Sequence, residues 1–257
     1  MLGVVQGLTE FLPISSSAHL ALFPWIFEWK DPGLAFDVAL HWGTLIALVA
    51  YFWRDWAKLA TGTLRAARER RANEDAILAG KLAVGTVPAA VAGALLESYA
   101  EKTLRSPWLI AVMLATVGVL LWVVDRRAGP GDERRTPGWP GAIAIGCAQA
   151  LALVPGTSRS GITMMAGLLV GLPRSAAARF SFLLSGPIIL AAGLKKLPDI
   201  LHGDPATAGV GLVTSAVAGG LTIAFLLRHL GRGSFAPFAL YRIALAAGVV
   251  VLLLTRG

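Results

Sequence analysis

Long apolar stretches separated by short polar segments make up most of the chain. About 20 apolar residues are enough to cross the hydrocarbon core of a bilayer. Six stretches meet that length, and they cover residues 34–53, 76–96, 107–124, 176–194, 207–227 and 236–254. The pattern therefore predicts an all-α integral membrane protein with about six transmembrane helices.

Two further apolar segments are interrupted by proline and by clusters of hydroxyl side chains. The first runs from Gly3 to Phe27 with its break at residues 12–17, and the second from Trp139 to Leu172 with its break at residues 154–160. Neither half of either segment comfortably crosses alone. Non-helical backbone at membrane depth is tolerated only where protein buries it or water reaches it. We therefore interpret each segment as a re-entrant helical hairpin that lines a cavity.

The two broken segments begin two similar halves of the chain. The sequence GVVQ at residues 3–6 recurs as GCAQ at residues 146–149, and a glycine, Gly43 or Gly186, follows each glutamine after 37 positions. One hairpin plus three spans gives each half an odd number of crossings, which forces the second half into the opposite orientation. The ligand site of such a repeat is expected where the broken helices meet.

The sequence thus predicts a single membrane domain over residues 1–257. It is built from inverted-topology repeats at residues 1–125 and 139–257.

Composition supports the membrane assignment. Of the 257 residues, 56 % are AVILMFWYC and 15 % are charged, with a mean hydropathy of +0.68, whereas a soluble domain is about a quarter charged. The net charge of +8 would suggest nucleic acid in a soluble protein, but here we ascribe it to membrane topology and expect no nucleic-acid partner. One cysteine, Cys147, excludes an internal disulfide and a cysteine-based metal cage.

Lysine and arginine are distributed unequally between the two sides. One side carries twelve: Arg54, Lys58, Arg65, Arg68, Arg70, Arg71, Arg126, Arg127, Arg134, Arg135, Arg228 and Arg232. The other carries six: Lys30, Lys102, Arg105, Lys195, Lys196 and Arg256. The richer side is expected in the cytoplasm, which places both termini and the mouth of the first hairpin outside. Residues 54–75 are interpreted as an amphipathic surface segment, either a solvated charge run or a contact with lipid headgroups.

The first hairpin contains groups suited to cation binding and to nucleophilic attack. Gln6 and Glu10 are four residues apart and share a helix face, and their oxygens could hold a hard cation such as Mg²⁺ or Ca²⁺ that also binds substrate phosphate. Three serines follow at residues 15–17, and His19 lies within one helical turn of Ser16. A hydroxyl beside an imidazole is the minimal pairing for an activated nucleophile. Alternatively, the serines cap the next helix and His19 lies at the membrane interface.

The second hairpin carries PGTSRSGIT at residues 155–163, where a glycine-bearing turn joins a predicted helix start. Free N–H groups and the positive end of the helix dipole make such a start an anion site. Hydroxyls and the guanidinium of Arg159 add donors suited to phosphate. The alternative is an N-cap with Arg159 reaching a headgroup or backbone carbonyls.

Other charged residues in the apolar segments are weaker candidates. Asp37 and His41 could flank the site or satisfy each other. Lys81, Arg179 and Arg242 are interpreted as snorkelling or as neutralising a buried carboxylate.

The two hairpins resemble those of the undecaprenyl-diphosphate phosphatases of the BacA/UppP type. QGLTEFLPISSSAH at residues 6–19 fits that family's (E/Q)xxxE element and its serine-rich stretch ending in histidine, residues 155–163 fit its PGxSRSxxT element, and residues 36–44 look like its first span. The resemblance covers nearly the whole chain. It implies hydrolysis of a C55 polyprenyl diphosphate to the monophosphate and inorganic phosphate, which recycles the lipid carrier for cell-wall synthesis, with a divalent cation and a site that opens to the outer face of the plasma membrane.

The resemblance also implies roles for individual residues. The catalytic set is Ser16 as nucleophile, His19 as its proton-transfer partner, Glu10 and Arg159. The substrate-binding set is Gln6, Ser15, Ser17, Gly156, Thr157, Ser158, Ser160 and Thr163. Glu10 and Gln6 are the expected metal ligands, although Gln6 stands where many relatives have glutamate. Attack by water instead of Ser16 stays open.

A transporter or flippase for an anionic lipid or small anion is the alternative function. Inverted repeats with broken helices are also transporter architecture. Release of phosphate from a diphosphate lipid by the purified protein would separate the two.

Overall fold

The computed structural model describes residues 1–29, 34–129, 136–200 and 204–256. Within these ranges the chain forms α-helices, one short 3₁₀ helix at Leu151–Leu153, and no strand. The helices are α1 (Leu2–Phe11), α2 (Ser16–Phe27), α3 (Leu34–Tyr51), α4 (Trp53–Glu69), α5 (Glu74–Thr103), α6 (Pro107–Arg127), α7 (Trp139–Ala150), α8 (Arg159–Leu169), α9 (Arg174–Lys195), α10 (Leu197–Ile200), α11 (Pro205–Leu230) and α12 (Ala236–Arg256). The predicted all-α class is confirmed.

The described helices include five that are each long and apolar enough to cross a membrane, namely α5, α6, α9, α11 and α12. Helix α3 meets that criterion only together with α4, from which it is bent by 72°. The prediction of about six spans is confirmed, and each predicted segment falls on one of these helices. Helix α5 continues to Thr103, beyond the predicted end at residue 96.

Helix α4 occupies most of the segment predicted to lie on the membrane surface. Its charged residues Lys58 and Arg65 are exposed, whereas Leu59 and Gly62 are buried. The segment is therefore an amphipathic helix, as predicted. It is joined to α9 by an ion pair between Asp55 and Arg179. Arg179 thus pairs with a carboxylate, which is one of the two roles expected for it, but that carboxylate is partly exposed.

Each broken segment forms two short helices that pack against each other, α1 with α2 and α7 with α8. At 1.5 Å per residue, helices of 10 to 12 residues reach only about half of a hydrocarbon core of roughly 30 Å. These lengths agree with the predicted re-entrant hairpins.

The first helix of each half of the chain packs against a helix of the other half. Helix α1 packs against α11 in the second half, and α7 packs against α5 in the first half. Gly3 and Gly146, which the internal repeat aligns, are both points of close approach: a Cβ on Gly3 would collide with Thr214, and one on Gly146 with the backbone of Gly85. This reciprocal packing agrees with the inverted repeat, which itself stays a prediction.

Arg242 of α12 is completely buried and connects both breaks. Its guanidinium donates to backbone carbonyls from three parts of the fold: Pro13 at 3.2 Å, Gly156 at 2.6 Å, Thr157 at 3.1 Å, Met113 at 3.3 Å and Leu114 at 3.3 Å. A chain break at membrane depth leaves carbonyls without helical partners, and the charge-assisted hydrogen bonds from Arg242 satisfy those of Pro13, Gly156 and Thr157. The bonds to Met113 and Leu114 tie Arg242 to α6. The expectation that Arg242 snorkels or neutralises a carboxylate is wrong.

Candidate active site

The second helix of each hairpin begins at a serine with left-handed backbone. Ser15 has φ 76° and Ser158 has φ 71°. Each hydroxyl accepts from its own helix, from the N–H of Ala18 at 3.4 Å and of Gly161 at 3.1 Å. A non-glycine residue in this region costs about 1–3 kcal/mol unless its surroundings hold it, and such strain clusters at functional sites. Both serines therefore cap their helices, which is the role that the sequence left open as an alternative to a part in catalysis or phosphate binding.

The tips of the two hairpins touch each other. The Ser160 hydroxyl donates to the Leu12 carbonyl at 2.9 Å, and Arg159 forms an ion pair with Glu10. The expectation that a site forms where the broken helices meet is therefore met in the geometry. Ser160, however, joins the hairpins and is not among the residues that line the cavity, so its place in a diphosphate cradle stays a prediction.

The carboxylate of Glu10 collects donors from both hairpins. One oxygen pairs with the Arg159 guanidinium. The other accepts from the Ser16 hydroxyl at 2.6 Å and from the Gln6 amide at 3.1 Å. Glu10 is buried, whereas Arg159 and Ser16 are partly exposed. The arrangement places a hydroxyl, an amide and a guanidinium around one carboxylate.

His19 does not contact Ser16. Its Nδ1 bonds the Ser15 carbonyl at 2.7 Å, and its Nε2 bonds the Tyr241 hydroxyl at 2.7 Å. The ring is buried against α12, away from the cavity. The predicted Ser16–His19 pairing is therefore wrong in geometry, because helical spacing brings two backbones near but does not set where each side chain points. The group that accepts the hydrogen bond of Ser16 is the carboxylate of Glu10.

His41 of α3 is a site residue that the sequence placed only among weaker candidates. Its Nδ1 donates to the Asp37 carbonyl at 2.8 Å, which turns Nε2 toward Glu10, 4.0 Å from the nearer carboxylate oxygen. The side chain is 37 % exposed. Its position suits proton exchange between Glu10 and water. The sequence feature that pointed to His41 was its position four residues after Asp37 on the same helix.

The remaining predicted residues of the second hairpin divide into two groups. Ser158 and Arg159 line the cavity. The Thr163 hydroxyl instead donates to the Arg159 carbonyl at 2.7 Å and lies 2.6 Å from the Ser181 hydroxyl on α9. Thr163 therefore links α8 to α9 in this structure, and its expected role in the cradle stays a prediction.

Gly156 and Thr157 form the turn. Gly156 has φ +94°, a conformation that glycine adopts without strain, and its carbonyl binds Arg242. Both residues are buried outside the cavity lining, and their contact with substrate stays a prediction. In the first hairpin, Ser15 is likewise buried, while Ser17 is exposed and lines the cavity.

A cavity of about 620 Å³ lies over this cluster. Its polar end holds Glu10, Ser16, Ser17, His41, Gln149, Ser158 and Arg159. Small and aliphatic residues of α5 and α9 form its walls, among them Ala90, Gly93, Ile188 and Ala192. Its other cationic residues are Arg105, which follows the end of α5, and Lys195 and Lys196 at the C-terminal end of α9. The volume is typical of a small-molecule site.

Comparison with known proteins identifies the family. A family model described as bacitracin resistance protein BacA matches residues 1–248. The chain belongs to this family. The resemblance found in the two hairpins is confirmed, and the chain is a multi-pass membrane protein.

Relatives in three bacteria carry the name undecaprenyl-diphosphatase. The protein of Pelotomaculum thermopropionicum is 49 % identical over 257 residues, covering 100 % of this chain and 96 % of the relative. That of Moorella thermoacetica is 51 % identical, covering 100 % and 97 %. That of Desulforudis audaxviator is 48 % identical over 261 residues, with the same coverage as the Moorella protein.

Glu10 and Gln6, the expected cation ligands, both present oxygen atoms, although only Glu10 lines the cavity. The described residues hold no group of three or more His, Cys, Asp or Glu side chains that could bind a metal. Gln6 Oε1 is buried and has no hydrogen-bond partner in the described part of the chain. This amide oxygen and the carboxylate are ligands of the kind that Mg²⁺ takes when water and a phosphate supply the remaining ones.

Proposed function

We propose that this chain hydrolyses undecaprenyl diphosphate to undecaprenyl phosphate and inorganic phosphate. The observation that carries the proposal is the Arg159–Glu10–Ser16 cluster, which joins two re-entrant hairpins beneath a cavity. The printed name of the relatives supports the substrate. The product is the lipid carrier of cell-wall synthesis, so the enzyme serves its recycling.

Substrate binding would change the role of Glu10. Arg159 presents a planar fork at the cavity, and a diphosphate there competes with Glu10 for the guanidinium. Once Arg159 binds phosphate, Glu10 loses the guanidinium as a partner, which favours transfer of the Ser16 proton to the carboxylate oxygen 2.6 Å away. In the absence of substrate, the ion pair with Arg159 thus keeps Glu10 a weaker base.

The chemical step transfers the terminal phosphoryl group. In one form the Ser16 oxygen attacks phosphorus, its proton passes to Glu10, and the bond to the leaving undecaprenyl phosphate breaks; water then hydrolyses the phosphoserine. In the other form, water attacks directly. In both, Arg159 and the first-turn N–H groups of α8 stabilise charge on the transferring group.

We infer a divalent cation, Mg²⁺ or Ca²⁺, held by Glu10 and Gln6. Such an ion would neutralise phosphate charge. The unpartnered Gln6 Oε1 supports this assignment.

The prenyl chain is assigned to the apolar side of the cavity. The walls from α5 and α9 consist of small and aliphatic side chains such as Ala90 and Ala192, and a Cβ on Gly93 would meet no atom within 4 Å. Only the headgroup then has to leave the lipid, which avoids exposing a long hydrocarbon chain to water.

The cavity is assigned to the outer face of the plasma membrane. Arg105, Lys195 and Lys196, which line it, all belong to the side with fewer cationic residues. The C-terminal ends of α2 and α12 lie on one side of the protein, because Arg256 at the end of α12 donates to the carbonyls of Trp25 and Ile26 near the end of α2. The positive-inside rule places this side outside the cytoplasm.

Detergent-purified protein is expected to release phosphate from C55 and short-chain polyprenyl diphosphates. EDTA should abolish the release and added Mg²⁺ or Ca²⁺ should restore it, since Glu10 and Gln6 would hold the cation and it would neutralise phosphate charge. An Arg159→Ala preparation controls for contaminating phosphatases. Absence of phosphate release, with lipid or anion transport by reconstituted vesicles, would favour the transporter instead.

Single cysteines report the orientation in intact cells. In a Cys147→Ala background, Ser106→Cys should react with an impermeant thiol reagent. Arg68→Cys and Arg126→Cys should react only after permeabilisation. All three positions are exposed, so access depends on the side of the membrane, and the reverse pattern would invert the topology. Arg134 and Arg135 lie outside the described residues.

A further inference from the structure

Gln149 is a buried polar side chain that faces the cavity. It lies in the last turn of α7 and is 3 % exposed. Neither Oε1 nor Nε2 of its amide has a hydrogen-bond partner in the described ranges. The side chain lines the same cavity as Ser158 and Arg159.

The internal repeat explains why this amide lacks a partner. Gln149 aligns with Gln6, whose Nε2 donates to Glu10 four residues further along the helix. The residue four positions after Gln149 is Leu153, which offers no acceptor side chain. The second half therefore keeps the amide and lacks the carboxylate that engages it in the first half.

A buried amide without partners destabilises the fold, whereas an apolar side chain of similar size would not. An amide in such a place is suited to a ligand that brings the missing partner into the cavity. The neighbouring side chains Arg159 and Ser158 favour an anion there, with oxygens that accept hydrogen bonds.

We propose that Gln149 is a substrate-binding residue whose amide N–H donates to a phosphoryl oxygen of the diphosphate beside Arg159. This inference rests on the proposed function and adds a residue to it. A neutral donor orients the diphosphate through a directed hydrogen bond. Because it adds no positive charge, it does not bind the anionic product more tightly by charge.

Gln149→Met tests the proposal because activity and stability should move independently. The variant removes both polar atoms at similar volume, so its Tm in detergent should be unchanged or higher. Its kcat/KM for the diphosphate lipid should fall at least tenfold, and the inhibition constant of inorganic diphosphate should rise by a similar factor. The inhibition constant reports headgroup binding without the prenyl chain.

Ser185→Ala is the matched control. Ser185 is buried outside the cavity and donates to the Phe182 carbonyl at 2.7 Å, so its loss should lower Tm and leave kcat/KM unchanged. Gln149→Glu separates donor from acceptor. If the N–H groups bind phosphate, the new carboxylate repels it and kcat/KM should fall at least a hundredfold; if Oε1 held a cation, activity would be kept.

Three outcomes would overturn the proposal. They are unchanged kcat/KM in Gln149→Met, a fall in Tm of Gln149→Met that matches its loss of activity, and full activity in Gln149→Glu. Failure of the unmodified protein to hydrolyse the lipid would instead refute the proposed function, so the two are distinguished in one set of assays.

Discussion

Replacing Arg159 by lysine is expected to lower kcat/KM for the diphosphate lipid at least tenfold, which corresponds to about 1.4 kcal/mol or more of lost transition-state stabilisation. Lysine keeps the charge but loses the planar fork that binds phosphate through two parallel hydrogen bonds. It also weakens the link between the hairpins, because Arg159 pairs with Glu10. Steady-state kinetics on the purified variant measure the effect.

Arg179→Lys serves as the control for this substitution. Arg179 also pairs with a carboxylate, Asp55, but outside the cavity lining, so its replacement should leave kcat/KM within about twofold. Wild-type kinetics in a folded Arg159→Lys protein would remove Arg159 from the site.

Ser16→Ala and Glu10→Gln are each expected to reduce kcat by at least about a hundredfold, the scale of general-base catalysis. The double variant should be little worse than either single variant, because residues that act as a unit are non-additive. Their 2.6 Å hydrogen bond is the reason to expect one unit. Glu10→Gln should also weaken the dependence on divalent cation.

A second cycle, pairing Ser16→Ala with His19→Ala, decides between two proton acceptors. His19 bonds Ser15 and Tyr241, so its loss should lower Tm and add to the effect of Ser16→Ala. If the effects of His19→Ala and Ser16→Ala were non-additive while those of Glu10→Gln and Ser16→Ala were additive, His19 and Ser16 would act as the pair expected from the sequence.

Substantial activity in Ser16→Ala would identify water as the nucleophile. A fully active Glu10→Gln that EDTA still inhibits would move the cation elsewhere, with Asp37 the next candidate.

The sequence by itself determined the class of fold, the spans and the two broken segments that form the hairpins. Membrane insertion depends on local hydropathy, so each span could be predicted from its own residues. The prolines and hydroxyls of the two breaks marked the hairpins, because unpaired backbone in a membrane needs a special environment. The long motifs at those breaks were specific enough to identify the family.

Only the tertiary structure decided which side chains meet. The partner of Ser16 is Glu10, across a break where helical spacing carries no information, and the partner of Glu10 is Arg159, 149 positions away. Arg242 contacts both breaks from the last helix, a role that its isolated place in an apolar segment did not indicate. His19 points away from the cavity while Gln149 faces it. Periodicity specifies the face of one helix, whereas these contacts depend on the relative positions of several helices, which packing alone sets.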